Sequence, residues 1–353
     1  MKYVKILLIF TTAPLLGFFL ALTLNYELIA YTDCRPLQVD LSASHTSVDK
    51  LVETFCTLKE AEGSLQESFK QEEELYKKQQ QLLQELVKKS QARKLQSDQA
   101  YDEMIISRLG KPIKEFKNED IEILIFQMIK EDLRGYMAKV RLKNPKSLLI
   151  TMSPEQKKKG ETTSEAVKRT GGIFGVNGGG FATSSKNGTT RLVPLGNTMI
   201  KGKLVGDFVP SYNDLSFAGF TKEGKLVGGV YHKEEELKKS GAWQGVSFVP
   251  VLIKNWQPVD IPKKWARQRQ PRTVLGQYPN GDLFFIVVDG RRSNWSKGIS
   301  LEEMQVTLMR LGVMEAFNLD GGGSSSFVFE GKVMNKPSDG KERPVATNIV
   351  ILP

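Results

Sequence analysis

Ala316-Phe317-Asn318-Leu319-Asp320-Gly321-Gly322-Gly323-Ser324-Ser325 is a short apolar run that meets an amide and a carboxylate, then breaks into three glycines and two hydroxyls. The pattern is that of a strand ending in a loop. Consecutive glycines let backbone N–H groups approach an anion closely and allow positive φ. A carboxylate at the strand end is placed to face whatever the loop holds. Taken alone, the stretch reads better as a tight turn, because Asp-Gly is a common turn pair. A second stretch of the same kind lies upstream, Gly171-Gly172-Ile173-Phe174-Gly175-Val176-Asn177-Gly178-Gly179-Gly180-Phe181. Two such loops in one domain favour a ligand-binding edge. Neither is a nucleotide motif: the Gly-Lys-Ser/Thr ending is missing, and no parallel βαβ setting surrounds the glycines.

Two further clusters lie near these loops in sequence. Pro271-Arg272-Thr273 precedes an apolar strand that ends in Val288-Asp289-Gly290-Arg291-Arg292, and Asn335 is followed by Pro337-Ser338-Asp339-Gly340 and Arg343-Pro344. Arg272, Arg291 and Arg343 offer planar forks for a phosphate or carboxylate, although each alone reads as a surface salt-bridge partner. Only two histidines are present, His45 and His232. That count excludes a His-rich zinc site and disfavours a His-based triad. Acid–base work therefore falls to carboxylates, with Asp320 and Asp289 the best placed. The candidate binding residues are Asn177, Gly178, Arg272, Arg291, Asn318, Gly321, Gly322, Ser324, Ser325 and Arg343. No ligand spacing argues for a metal and no cofactor is expected, though clustered Asp and Asn leave room for a divalent ion.

Around these motifs the chain reads as α+β with mostly antiparallel strands and few helices. Strand-like runs are Ile121–Met128, Tyr136–Leu142, Ser147–Met152, Leu204–Val209, Ser216–Phe220, Lys225–Tyr231, Val246–Ile253 and Leu283–Val288. The second half of Ser153–Lys168 looks helical. Ser300–Leu311 is the one convincing helix beyond Gly171, with Ser300 as N-cap and Glu303 at the capping-box position. Residues 112–353 form this body, and its core motifs occupy 171–353. Before it, residues 47–108 are rich in Glu, Lys, Gln and Leu. Leu51, Phe55, Leu58, Leu65, Phe69, Tyr76, Leu83 and Leu86 fall on one alternating four-three register, interrupted by Glu62, Glu72 and Gln79. A coiled-coil-like stalk is expected, a helical hairpin being the alternative.

The segment 1–26 carries Lys2 and Lys5, then an uncharged apolar run from Ile6 to Leu24. About 20 such residues suffice to span a bilayer. An uncleaved transmembrane anchor is expected rather than a removed signal peptide, with the N-terminus cytoplasmic and the body outside a cell membrane. Cys34 and Cys56 are too few for a disulfide framework; they pair or remain unpaired thiols. The net charge of +10 suits anionic partners or simply a solvated basic surface. Without an RNA- or DNA-binding motif, nucleic acid is the weaker option.

Val176-Asn177-Gly178-Gly179-Gly180-Phe181, Pro271-Arg272-Thr273, Val288-Asp289-Gly290-Arg291 and Asn318–Ser325 resemble, in this order, the phosphodiester glycosidase family, which includes the mannose-6-phosphate uncovering enzyme. So does the tail Asn335…Pro337-Ser338-Asp339-Gly340…Glu342-Arg343-Pro344-Val345…Asn348. The resemblance runs from about Leu148 to the C-terminus, and the anchor and stalk look like those of bacterial members. It implies a hydrolase that cleaves a sugar from a sugar-1-phosphodiester at the anomeric C–O bond. Arg272, Arg291 and the Gly321–Ser325 backbone and hydroxyls would then hold the phosphate, and Asn177 and Asn318 the sugar hydroxyls. Asp320 or Asp289 would orient water or steady the sugar cation. An anionic envelope glycopolymer or exopolysaccharide is the expected substrate, and a stalk of this kind allows homo-oligomers. Two other classes stay open: a non-catalytic polysaccharide-binding protein of the cell envelope, and a phosphodiesterase cutting P–O.

Overall fold

The computed structural model describes residues 41–156, 159–186, 189–212 and 214–353. The apolar run Ile6–Leu24 and Cys34 lie outside the described residues. Among those described, no helix is long and apolar enough to cross a membrane. The chain divides into two units, Met1–Lys89 and Ser90–Pro353.

The described part of the first unit belongs to the helix Leu41–Leu109, which starts six residues before the expected Ser47. No Gly or Pro stands between Leu41 and Ser47 to stop it. Val52, Phe55, Leu58, Leu65 and Phe69 are exposed along it, as is Cys56. The last turns of the helix belong to the second unit. There Ile105 and Leu109 are buried among Leu124, Phe126, Phe284 and Leu308.

The second unit is built on antiparallel sheets. The largest has eight strands in the order Lys114–Lys117, Ile121–Lys130, Leu133–Leu142, Leu283–Val288, Arg272–Gln277, Glu315–Leu319, Val251–Lys254 and Gln257–Pro258. One five-stranded sheet joins Lys332–Val333, Phe327–Phe329, Phe174–Asn177, Thr347–Ile351 and Leu148–Met152. A second joins Leu226–Gly229, Ser216–Phe220, Gln244–Phe248, Met199–Ile200 and Lys203–Leu204. Phe285, Val287, Phe317 and Leu319 of the large sheet pack against Phe174, Val176, Phe327 and Ile349 of the first small sheet and Ala218 and Val246 of the second. On its other face Phe284, Ile286 and Val288 meet Leu301, Met304 and Leu308 of the helix Leu301–Arg310. Alternate side chains of Leu283–Val288 thus enter two cores. That is why the run is apolar throughout instead of alternating with polar residues.

The expected strand Leu204–Val209 shrinks to Lys203–Leu204, because Gly206 takes φ 84° and ends the pairing. Val246–Ile253 divides into Gln244–Phe248 and Val251–Lys254, which lie in different sheets. Pro250 falls between them, where it has no N–H to give a ladder. Short helices at Thr163–Thr170, Glu234–Lys239 and Lys263–Ala266 accompany Leu301–Arg310. Ser300 caps the latter through the Glu303 N–H, and Glu303 answers with a full capping box.

Candidate active site

The two glycine loops meet. Arg272–Gln277 and Glu315–Leu319 are neighbours with Thr273 opposite Leu319, so Pro271 and Asp320 emerge at one sheet end. Phe174–Asn177 ends at the same place. Its Asn177 Nδ2 donates to the Asp320 carbonyl at 2.6 Å, while the Asp320 N–H donates to the Gly178 carbonyl at 3.2 Å. Asn177 Oδ1 accepts from the Thr273 hydroxyl at 2.8 Å and from the Ser326 N–H at 3.1 Å. The Asn177 side chain is fully buried, with donor and acceptor both engaged inside the protein. Asn318 is also buried, and its Nδ2 donates to the Val249 carbonyl at 2.6 Å. Both amides therefore hold the edge together from beneath.

Beyond Asp320 the chain makes a single 3₁₀ turn, Gly322–Ser324, and the Gly322 N–H donates to the Pro271 carbonyl at 2.9 Å. Gly322 sits at φ 61°, where a side chain is strained, and the Arg291 guanidinium lies over it. At Gly323 a Cβ would run into the Arg343 guanidinium and the Asp339 carboxylate. These glycines let two cations rest directly on the backbone of the turn. The Ser324 and Ser325 hydroxyls are buried beneath, with no well-formed hydrogen bond among the described residues.

The three sequence-predicted arginines come together here, in unequal settings. Arg272 is 8% exposed and, among the described residues, has no carboxylate partner; its Nη2 donates to the Gln268 carbonyl at 2.9 Å and its Nε to that of Ile299 at 3.4 Å. Burial, reinforced by the charge of Arg291, lowers its pKa to about 10. A cation in that state is stabilised by an arriving anion. Arg291 is exposed, kinked at φ 60°, and donates through Nε to Gln270 Oε1 at 2.6 Å. Arg343 pairs with Asp339 at 2.6 Å. Its hydrogen bond lowers the Asp339 pKa, which keeps that carboxylate ionised.

The two candidate carboxylates differ sharply. Asp289 is 1% exposed and fully engaged. It accepts from Trp295 Nε1 at 2.8 Å, Asn335 Nδ2 at 3.1 Å and the Lys336 N–H at 3.0 Å. Asn335 Nδ2 continues to the Ser325 carbonyl at 3.0 Å, which couples Asp289 to the glycine turn. Burial raises the Asp289 pKa against the pull of these donors. Asp320 is only partly enclosed, and one oxygen accepts from the Gly321 N–H at 3.0 Å. Burial raises its pKa to about 6, against the weaker pull of the nearby Ser324 hydroxyl, the Gly321 N–H and Arg343. Of the two, Asp320 alone keeps acceptor capacity for an incoming group.

Trp295, Gln270 and Glu342 complete the arrangement beside the expected catalytic and phosphate-binding residues. Glu342 accepts from the Ser326 hydroxyl at 2.5 Å and from the Ser164 N–H at 3.2 Å. Its place in the tail motif was the available signal; Trp295 and Gln270 stand in no glycine- or arginine-bearing motif. Among the described residues, no three or more His, Cys, Asp or Glu side chains cluster as metal ligands.

Comparison with known proteins accords with this geometry. The phosphodiester glycosidase family model matches residues 170–352, over half of the chain. The SPbeta prophage-derived uncharacterized protein YomE of Bacillus subtilis is 32% identical over 197 residues, 54% of this chain and 29% of that protein. The bovine N-acetylglucosamine-1-phosphodiester alpha-N-acetylglucosaminidase is 29% identical over 198 residues, 52% of this chain and 36% of the enzyme. The chain thus spans about a third of the length of these curated relatives. In three dimensions it is similar to the catalytic domain of the zebrafish enzyme of that name, with TM-score 0.53 and 23% identity over 69% of this chain and 87% of that one, which shows the fold. The chain belongs to the phosphodiester glycosidase family.

Proposed function

We propose that the protein is a hydrolase that releases a sugar from a sugar-1-phosphodiester by breaking the anomeric C–O bond. The observation that carries this reading is the buried Arg272, without a carboxylate partner among the described residues and with its backbone against a glycine turn on which Arg291 and Arg343 rest, with Asp320 at the edge of that turn. The relatives named for N-acetylglucosamine-1-phosphodiester cleavage point to that sugar as the first one to test.

The leaving group is a phosphate monoester, which is already acidic and needs little help from a general acid. What the reaction needs is a preorganised anion site and support for an oxocarbenium-like carbon. The arginines and the turn between Gly321 and Ser325 supply the first. Asp320, ionised above about pH 6, supplies the second, taking a proton from the attacking water or facing the developing cation. Asp289 does not meet substrate in this scheme; it positions Trp295 and Asn335, and Asn335 positions the turn. Asn177 and Asn318 likewise hold the backbone from which Asp320 projects, in place of direct contacts to sugar hydroxyls.

Hydrolysis of N-acetylglucosamine-1-phosphate methyl diester in ¹⁸O-water tests the reading. Label in the sugar supports it, label in the phosphate makes the protein a phosphodiesterase, and no turnover across a panel of sugars leaves a binding protein. Arg272→Gln is expected to raise KM at least about tenfold, a charge-assisted bond to phosphate being worth roughly 1.5–3 kcal/mol.

The Ile6–Leu24 run supports a single-pass membrane anchor with the catalytic unit outside the cell membrane, and the four-three register supports self-association of the helix. Carbonate extraction of membranes and surface proteolysis of whole cells test the first. A soluble, protease-protected protein would overturn it.

A further inference from the structure

Arg291 and Arg292 are neighbours in sequence but serve different places. While Arg291 lies over Gly322, the Arg292 guanidinium donates to the Pro337 carbonyl at 3.0 Å. There it lines a separate cavity of about 380 Å³ with Asn335, Lys336, Pro337, Lys341 and Glu342. That volume falls in the range of small-ligand sites. Three cations border this cavity, and none of the three forms an ion pair among the described residues. Lys336 Nζ lies 3.5 Å from the centre of the Trp295 ring, and Lys341 is exposed. The one lining carboxylate, Glu342, is turned toward the Ser164 and Ser326 donors. Asp289, whose carboxylate feels the charge of Arg292, lies behind Asn335.

The segment from Asn335 to Arg343 borders both places. Lys336 and Lys341 line the cavity, whereas Asp339 and Arg343 lie against Gly323 in the glycine turn. We infer that the cavity is a second anion subsite, taking a further phosphate of the same substrate. This rests on the glycosidase reading and names its substrate class: a glycan whose sugars are joined by repeated phosphodiesters, in preference to one carrying a single phosphate.

The test compares N-acetylglucosamine-1-phosphate methyl diester with short oligomers of phosphodiester-linked N-acetylglucosamine, using the full chain in detergent. The wild type is expected to show a KM for oligomers well below that for the single diester. Lys341→Glu is expected to raise the oligomer KM at least about fivefold, the ratio that corresponds to ~1 kcal/mol for one exposed charge contact, and to leave kcat/KM for the single diester within about twofold. Lys336→Gln should act in the same direction. Equal KM values for the two substrates, or an equal shift of both by Lys341→Glu, would overturn the subsite while leaving the glycosidase intact. If neither substrate is cleaved, the glycosidase reading fails for this sugar. Calorimetric titration of the oligomer then still decides the subsite: binding that Lys341→Glu weakens supports it, and binding that is absent or unaffected sinks it.

Discussion

At the scale of single residues, Asp320 is the position where function and stability oppose each other. Burial raises its pKa from 3.8 to about 6, so the fold favours the protonated acid. The associated stability is fully present below the unfolded-state pKa and is lost as pH rises through about 6. Asp320→Asn is therefore expected to raise the unfolding free energy at pH 8 by roughly 2 kcal/mol, a two-unit shift being worth about 2.7, with no gain near pH 3.5. The same variant should lower kcat at least about 10²-fold. In the wild type, kcat/KM should rise with pH through about 6 as the carboxylate forms. Urea melts at two pH values and a pH–rate profile check all three; an Asn variant that stays fully active removes Asp320 from the chemistry. Asp289→Ala should behave differently, because it strands the Trp295, Asn335 and Lys336 donors. A loss of roughly 1–3 kcal/mol is expected for buried donors left unpaired, with activity falling alongside stability.

At the scale of elements, a buried charge cluster fastens the end of the helix Leu41–Leu109 to the large sheet. Lys139 is 2% exposed and lies 2.5 Å from both Asp102 on the helix and Asp282 beside Leu283–Val288. Arg141 reaches the same two carboxylates at 2.9 and 3.1 Å. Removing one member of such a cluster leaves a buried charge uncompensated, and Lys139→Ala should cost about 3–5 kcal/mol in denaturant titration. The strands that run into Asn177, Asp289 and Asp320 were legible because apolar runs stop at Asn-Gly and Asp-Gly; Arg272–Gln277, which carries Arg272, was not. Their neighbours in the sheets were not. Pro250 marks a break in Val246–Ile253, but not that the two halves join different sheets, since pairing depends on partners far away in the chain.

For the whole molecule, the boundary at Lys89 and Ser90 makes a direct prediction about truncation. A chain beginning at Ser90 should keep catalytic activity and its thermal midpoint. One beginning at Lys111 removes Ile105 and Leu109 from the core and should unfold at clearly lower denaturant, buried Leu and Ile each being worth about 2–5 kcal/mol. Equal midpoints would show that the helix end contributes nothing to the core. The sequence by itself determined the family, the antiparallel class, the capped helix at Leu301–Arg310 and the glycine, arginine and aspartate residues that gather at the glycine turn. These follow from local patterns: glycines where backbone must come close, an alternation of apolar runs and turns, and a motif order retained along the chain. Only the tertiary structure separated residues of like type by role. Asp289 and Asp320 each precede glycine in the sequence. One is saturated by donors brought from residues 295–336 and the other keeps an open acceptor, a difference that lies in what distant segments pack around each carboxylate.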